Sequence, residues 1–434
     1  MPYLIVNGGK KLHGEIKNQS AKNSAVAIMC ASLMIDGKTV LKNVPQIEEV
    51  NRMCELLLSM DAKVIQNGSD LTIDTTGGLN FEKIDATASE KTRSSLLLLG
   101  ALASRKISYK LYRSGGCRLG QRTVRPHLFA LQAYGVEVAS KPKFYEVKNG
   151  ALKAANIVMY ESGDTSTENA IMAAVLAPGQ TIIKMASANY MVQDLCYFLN
   201  QAGAKISGIG TTTLTIDGVS KLRPMASYPI MPDPIVAMTY ISAAIVTGSH
   251  LTVSNCPLEF LELELCKLEV MGQKYKILNK RKSTNGQFAV ADIEIIPSKL
   301  VCLPDKIECR PFPGLNIDNL PLFIPILAKA KGRTLVHDWV YEDRAIYSLE
   351  LKKFGVDVTL IDTHRVWVEG PTKFKPNEVI CPPALRPAVN VLIAMLAAPG
   401  KSLLRSTYVI DRGYENLYET LNKAGASIKI IKNK

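Results

Sequence analysis

No apolar run in this chain reaches membrane-spanning length without a charge inside it, which argues against a helical membrane anchor. The opening residues Met1-Pro2-Tyr3-Leu4 lack the layout of a secretory leader. Nine cysteines, an odd number with no CxxC pair among them, exclude a compact disulfide framework and predict reduced thiols in a cytoplasmic setting. The five histidines, His13, His127, His250, His337 and His364, show no metal-ligand spacing, so no metal and no cofactor is expected. Basic runs are equally scarce. The net charge is +13, yet the one short cluster is Lys280-Arg281-Lys282, best read as a solvated surface. Scattered arginines suit a small anionic ligand better than a polyanion track, so neither nucleic acid nor a membrane is an expected partner.

What the chain does have is length, apolar content and repetition. At 434 residues, 47% hydrophobic and 21% charged, it is an ordinary globular sequence with room for two or more cores. A small-residue apolar helix, a turn and a short β-rich run recur six times, as in Ser24 to Leu33 with Lys38 to Leu41, and Ala237 to Val246 with His250 to Val253. Each copy has a second half, a helix with a glycine stop leading into a hairpin. Leu128 to Val147, Leu195 to Ile216, Leu349 to Val368 and Leu417 to Ile431 are examples. Gly135, Gly203, Gly355 and Gly425 fall at the helix ends, where a left-handed residue is wanted. The first-half helices are apolar nearly all round, which predicts burial on every side with strands and amphipathic helices outside. Six such units exceed one core. Three and three predicts a first domain over residues 22–231 and a second formed by 1–21 with 232–434.

The stretch Ser114-Gly115-Gly116-Cys117-Arg118-Leu119-Gly120-Gln121-Arg122 reads as a mobile glycine-rich loop carrying one cysteine. Guanidiniums one and five residues on favour its thiolate.

Ala21-Lys22-Asn23-Ser24, Gly115-Gly116-Cys117 followed by Arg122, and Ile410-Asp411-Arg412-Gly413-Tyr414-Glu415, together with the repeat, resemble the enolpyruvyl transferases from Val6 to the chain's end. The branch acting on UDP-N-acetylglucosamine in peptidoglycan synthesis is nearer than the shikimate-phosphate branch, which lacks the cysteine loop. The resemblance implies an α/β fold of the inside-out α/β barrel type, two pseudo-threefold domains with the substrate between them. It implies phosphoenolpyruvate as donor, a nucleotide or sugar-nucleotide hydroxyl as acceptor, and phosphate as product; a monomer is expected. Phosphoenolpyruvate is a trianion, and bidentate guanidiniums suit both its carboxylate and its phosphate. Carried over by motif, Lys22, Arg122 and Arg412 would face the phosphate. Arg344 and Arg386 would hold the carboxylate, with Arg93 close by, and Asn23 would hydrogen-bond the tetrahedral intermediate. Cys117 would protonate the vinyl methylene or form a covalent adduct; in that family this cysteine is also the target of the epoxide fosfomycin.

The departures from the family lie on the acceptor side. Its Phe-Pro-Thr-Asp is Phe312-Pro313-Gly314-Leu315 here, so Leu315 stands where the family has the carboxylate that takes the acceptor's proton. Asp318, three residues on, and Asp233, in Pro232-Asp233-Pro234, are candidate substitutes. In the family's uracil loop an acid becomes Arg125, while His127 stays, and the acid before Arg386 becomes Ala384. The polar stretch Asp164 to Asn169 replaces a smaller loop, and Thr165 with Glu168 reads as a helix capping box. Three readings stay open: an active transferase with this or another nucleotide acceptor, a relative that binds without turnover, and, resting on charge alone, a nucleic-acid binder.

Overall fold

The computed structural model describes residues 3–105, 107–113 and 123–431. The chain divides into two compact units. Of the described residues, 20–231 form the first unit, and 3–19 with 232–431 form the second. Among the described residues, helices and six small sheets make a mixed α/β protein, three sheets to each unit. Among the described residues no helix is long and apolar enough to cross a membrane, and no His, Cys, Asp and Glu cluster could hold a metal.

The repeat is visible in the strand pairing. In the first unit the run Lys38–Lys42 pairs antiparallel with Asp70–Asp74, itself antiparallel to Lys63–Asn67, while Met225–Pro229 joins in parallel at the edge. Gln180–Lys184, Thr213–Asp217, Lys205–Ser207 and Asn156–Val158 repeat this order. So do Gly332–His337, Arg365–Gly370, Asp357–Leu360 and Lys306–Glu308 in the second unit. The sixth copy departs from the expected hairpin. The helix Leu417–Lys423 is followed by one strand, Ile428–Ile431, and the hairpin's other strand is the chain's own beginning. Tyr3–Gly8 lies between Gly400–Arg405 and Ile428–Ile431, antiparallel to both. Val6 and Leu4 are its fully buried positions, so alternation fixes which face it turns inward.

The apolar helices are inside, as their composition requires. Pro234–Thr247 is buried from Pro234 through Val246, and Leu385–Ala397 from Arg386 through Leu396. In the second unit these two and Phe323–Lys329 pack against one another, and each carries its own sheet on its outer side. The glycine stops take φ between 86° and 104° at Gly135, Gly203, Gly355 and Gly425. That region costs most L-residues energy, and glycine enters it freely. The first copy uses Asp61 there, at φ 65°. The fifth copy's second helix, Ala345–Phe354, is 3-10 rather than α and starts earlier than Leu349.

One buried carboxylate ties the end of the first unit to its core. Asp194, on Tyr190–Gln201, accepts hydrogen bonds from Tyr228 Oη (2.6 Å) and the Met231 amide (3.3 Å). Burial pushes it up to about 7, against those two bonds, which pull it down. An unfolded aspartate titrates near pH ~4, so between there and about 7 the folded state holds a proton that the unfolded state has lost. Asp194's contribution to stability is therefore complete below about pH 4 and declines as pH rises toward about 7. Urea midpoints at both ends of this window should differ less in Asp194→Asn than in the native chain; an unchanged pH dependence would assign the titration elsewhere.

Candidate active site

In the second unit, Arg344 and Arg386 lie inside the protein, 3% and 5% exposed, which is rare for arginine without partners. Arg344 precedes the helix Ala345–Phe354. Its Nε donates to Asp338, its Nη2 to the Ile317 carbonyl (2.5 Å) and its Nη1 to Asp318 Oδ1 (3.3 Å). Its guanidinium also lies over the Tyr341 ring. Burial works against its charge, but Asp338 and Asp318 outweigh that and hold it above arginine's ordinary range. Arg386 is the second residue of Leu385–Ala397 and donates from Nη1 to Tyr414 Oη at 2.7 Å. Thr239 Oγ1 gives its proton to the Ile235 carbonyl, so it accepts from Tyr414 at 2.8 Å, and the chain runs one way from Arg386. Arg386 Nη2 reaches the other oxygen of Asp318 at 3.5 Å. One carboxylate thus spans both guanidiniums.

The loop bearing Asp318 is held from behind. Glu264, buried, accepts from Asn319 Nδ2 (2.7 Å) and the Asn316 amide (3.3 Å), and burial raises its pKa despite those bonds. Asn316 Oδ1 in turn accepts from the Asp318 amide, an Asx turn. Leu315 is buried at 2% exposure. Asp233 has a capping role that the sequence did not suggest. Its Oδ1 caps Pro234–Thr247 by accepting from the Ile235 and Val236 amides, at 2.8 and 3.2 Å. Arg412 is half-buried at the end of the short helix Tyr408–Asp411. Gln19 holds the next residues through Gly413 O (3.3 Å) and the Glu415 amide (2.9 Å).

In the first unit the starts of four helices meet. Lys22 opens Lys22–Ala31, and Asn23 Nδ2 donates to Tyr190 Oη at 3.1 Å, at the start of Tyr190–Gln201. Asn189, the cap of that helix, reaches Asp164 Oδ2 (3.2 Å), and Ser187 reaches its Oδ1 (2.6 Å). Asp164 opens the third helix, Asp164–Val175. The fourth, Arg125–Ala133, carries His127, which is 4% exposed. Asn169 Nδ2 donates to His127 Nδ1 (2.8 Å), which leaves the proton on Nε2, facing Thr165 Oγ1 at 3.5 Å. Asn169 Oδ1 accepts from Gly100, where any Cβ would lie 2.5 Å from the Asn169 carbonyl. Helix starts gathered in this way present positive dipole ends, which favour an anion. Arg93 donates to the Thr123 carbonyl (3.2 Å), and Arg125 is exposed.

Two expectations are corrected here. Asp164 to Asn169 is not a loop but the first turns of Asp164–Val175. No capping box forms, because Gly163 is the cap and Glu168 turns into the core. There its Oε1 has no hydrogen-bond partner, and burial, then the Asp164 charge, raise it well above the carboxylate range. Cys117 and Arg122 lie outside the described residues. Asp338, Glu264 and Tyr190 were not singled out in the sequence, and Asp164 and Asn169 only as the ends of a polar stretch. A buried acid beside a site arginine has no periodic signature, although Tyr414 sat in the Arg412 motif.

Residues 6–421 match the EPSP synthase family, 3-phosphoshikimate 1-carboxyvinyltransferase. The UDP-N-acetylglucosamine 1-carboxyvinyltransferase 2 of Caldanaerobacter subterraneus subsp. tengcongensis is 34% identical over 423 residues, 98% of each chain. The UDP-N-acetylglucosamine 1-carboxyvinyltransferase of Campylobacter hominis is 33% identical over 99% of each. Among solved structures, the enolpyruvyl transferase NikO from Streptomyces tendae superposes with a TM-score of 0.86 at 24% identity, covering 100% of this chain and 99% of that one. EPSP synthase from Acinetobacter baumannii gives 0.77 at 20% identity, covering 100% of both. The last two likenesses are likenesses of fold.

Proposed function

Since the chain belongs to the EPSP synthase family of 1-carboxyvinyltransferases, we propose that it moves the enolpyruvyl group of phosphoenolpyruvate to a hydroxyl of a nucleotide or sugar nucleotide and releases phosphate. The observation that carries the reading is the buried pair Arg344 and Arg386, both turned to one carboxylate. Two guanidiniums held this way form a seat for the donor's carboxylate. Lys22, Arg412 and Arg122 serve its phosphate side with Arg93 near the same site, and Asn23, held by Tyr190, serves the tetrahedral intermediate. In the reaction the acceptor oxygen bonds to C2 of the donor while Cys117 supplies a proton to C3. The acceptor's proton leaves to a base, C3 gives a proton back, and the C2–O bond to phosphate breaks. On this reading the buried helices and outer sheets are the inside-out α/β barrel of the family, three repeats to a domain, with domains at 22–231 and at 1–21 with 232–434.

The acceptor side supports a narrower proposal. Leu315 cannot take a proton, Asp233 has one oxygen in a helix cap, and Asp318 faces two arginines. His127 is in the core, and Arg125 presents a donor where the family has an acid. UDP-N-acetylglucosamine is therefore expected to be a weak acceptor, with another nucleotide preferred. Phosphate release under saturating UDP-N-acetylglucosamine checks this. A rate ordinary for an enzyme, on the order of 1–10³ per second, would mean that a base is present which this reading omits. Donor binding without turnover on any acceptor would favour the binding-only relative instead.

A further inference from the structure

Beside Arg344, within the second unit, lies a cavity of about 20 Å³, room for about one water molecule. The helices Leu385–Ala397 and Ala345–Phe354 and the strands Gly332–His337 and Arg365–Gly370 contribute its walls. Part of the lining is apolar, but Asn390, Ser348, Asp338 and Arg344 also face it. Asn390 is 5% exposed, and its amide is oriented from one side. The Pro321 carbonyl can only accept, so it takes Nδ2, at 2.7 Å. Oδ1 is the other end of that amide, and among the described residues it has no hydrogen-bond partner. A buried acceptor left in that state is costly, and a water in a polar space of this size is its usual remedy. Arg344 brings the complementary groups. Its bonds to Asp338, the Ile317 carbonyl and Asp318 engage three of a guanidinium's five N–H groups.

We infer that this cavity holds one ordered water, donating to Asn390 Oδ1 and accepting from Arg344, and that Asn390 is thereby a positioning residue for the donor's carboxylate. The inference rests on the phosphoenolpyruvate reading above and adds to it a residue that acts only through Arg344. Asn390 lies four residues beyond Arg386 on Leu385–Ala397, so the two share a helix face. Arg344 comes from a different element, at the start of Ala345–Phe354. The water therefore ties the helix that carries one arginine of the seat to the guanidinium of the other. Ser348, 6% exposed on the facing helix, offers it a further hydroxyl partner. A bridging water restrains nearly as well as a direct hydrogen bond. The restraint matters here because a guanidinium grips a carboxylate only when its planar fork is correctly turned.

Two experiments test this. A crystal structure of the native protein that resolves ordered waters should show one within about 3.2 Å of both Asn390 Oδ1 and an Arg344 nitrogen. Its absence there would overturn the inference. Equilibrium binding of phosphoenolpyruvate and of inorganic phosphate is then compared in the native protein, Asn390→Leu and Ser348→Val. Asn390→Leu keeps the approximate shape and removes the acceptor. Ser348→Val fills the cavity from the facing wall and leaves the bond from Asn390 to Pro321 in place, so it gives a reading that does not depend on how the leucine variant folds. In each folded variant the Kd for phosphoenolpyruvate should rise about tenfold. The Kd for inorganic phosphate, which has no carboxylate, should stay within about twofold. An unchanged Kd for phosphoenolpyruvate, or an equal loss for both ligands, would overturn the inference while leaving the donor reading intact, since general damage to the fold weakens both alike. No saturable phosphoenolpyruvate binding by the native protein would remove the donor reading itself, and this inference with it.

Discussion

Arg344→Ala is expected to lower phosphate release from phosphoenolpyruvate by about 10³ or more and to cost about 3–5 kcal/mol of stability. Two separate losses produce this. The first is a guanidinium assigned to the donor's carboxylate. The second is structural, because Asp338 is 4% exposed and Arg344 Nε is its ion-pair partner. Removing one side of a buried pair strands a charge in the interior, which costs far more than the intact pair contributes. A double variant separates the two. Asp338→Ala added to Arg344→Ala removes the stranded carboxylate, so the urea midpoint should recover in part while activity stays lost. Arg344→Lys keeps the charge but cannot span Asp338, Ile317 and Asp318 with one ammonium, and it should also fail catalytically. Full activity in a folded Arg344→Ala protein would place the carboxylate seat elsewhere.

Cys117→Ser should lower turnover by about 10²–10⁴, the usual effect of a positioned general acid, and should remove the reactive thiol. The structure sharpens this through the other cysteines. Burial pushes Cys309 and Cys381 up to about 12 and Cys54 up to about 11. Cys30, Cys196 and Cys256 are fully buried and lie higher still, and burial raises Cys302 too. The thiolate is the nucleophile, so these seven are poor targets at neutral pH. Cys266 is exposed. Limited alkylation of the native chain, with peptide mapping, should therefore find Cys117 first and Cys266 second. The Cys117→Ser protein should be labelled at Cys266 and lose reactivity toward an epoxide. Undiminished turnover in that variant would remove Cys117 from the chemistry.

The sequence carried the repeat well, because helix burial and strand alternation leave periodic marks. Ala173, Ala174 and Val175 are fully buried as the apolar pattern implied, and Gly135 and Gly203 end their helices at positive φ. The sixth copy was misread for a topological reason. Completing its sheet with Tyr3–Gly8 joins residues some 400 positions apart, and no local pattern encodes such a partner. The capping box at Thr165 failed because the pattern does not say which way Glu168 points. Its neighbours in the chain are core residues, and it follows them inward. Among candidate site residues, motifs marked Lys22, Asn23, Arg344, Arg386 and Arg412, but not what orients them. Asp338, Glu264 and Asn169 act by packing and hydrogen bonding across the fold, which depends on coordinates more than on spacing. Asp233 was singled out only as a candidate base, and its 2.8 Å bond from the Ile235 amide, a helix cap, was not foreseen.

The central claim is enolpyruvyl transfer to a nucleotide hydroxyl. Its most direct test is mass spectrometry of the products when the purified chain is given carbon-labelled phosphoenolpyruvate and a panel of nucleotides and sugar nucleotides. The account predicts a labelled carboxyvinyl ether on one acceptor, formed in step with inorganic phosphate, and more of it on that acceptor than on UDP-N-acetylglucosamine. Phosphate released without labelled acceptor, or no product from any member of the panel, would contradict it.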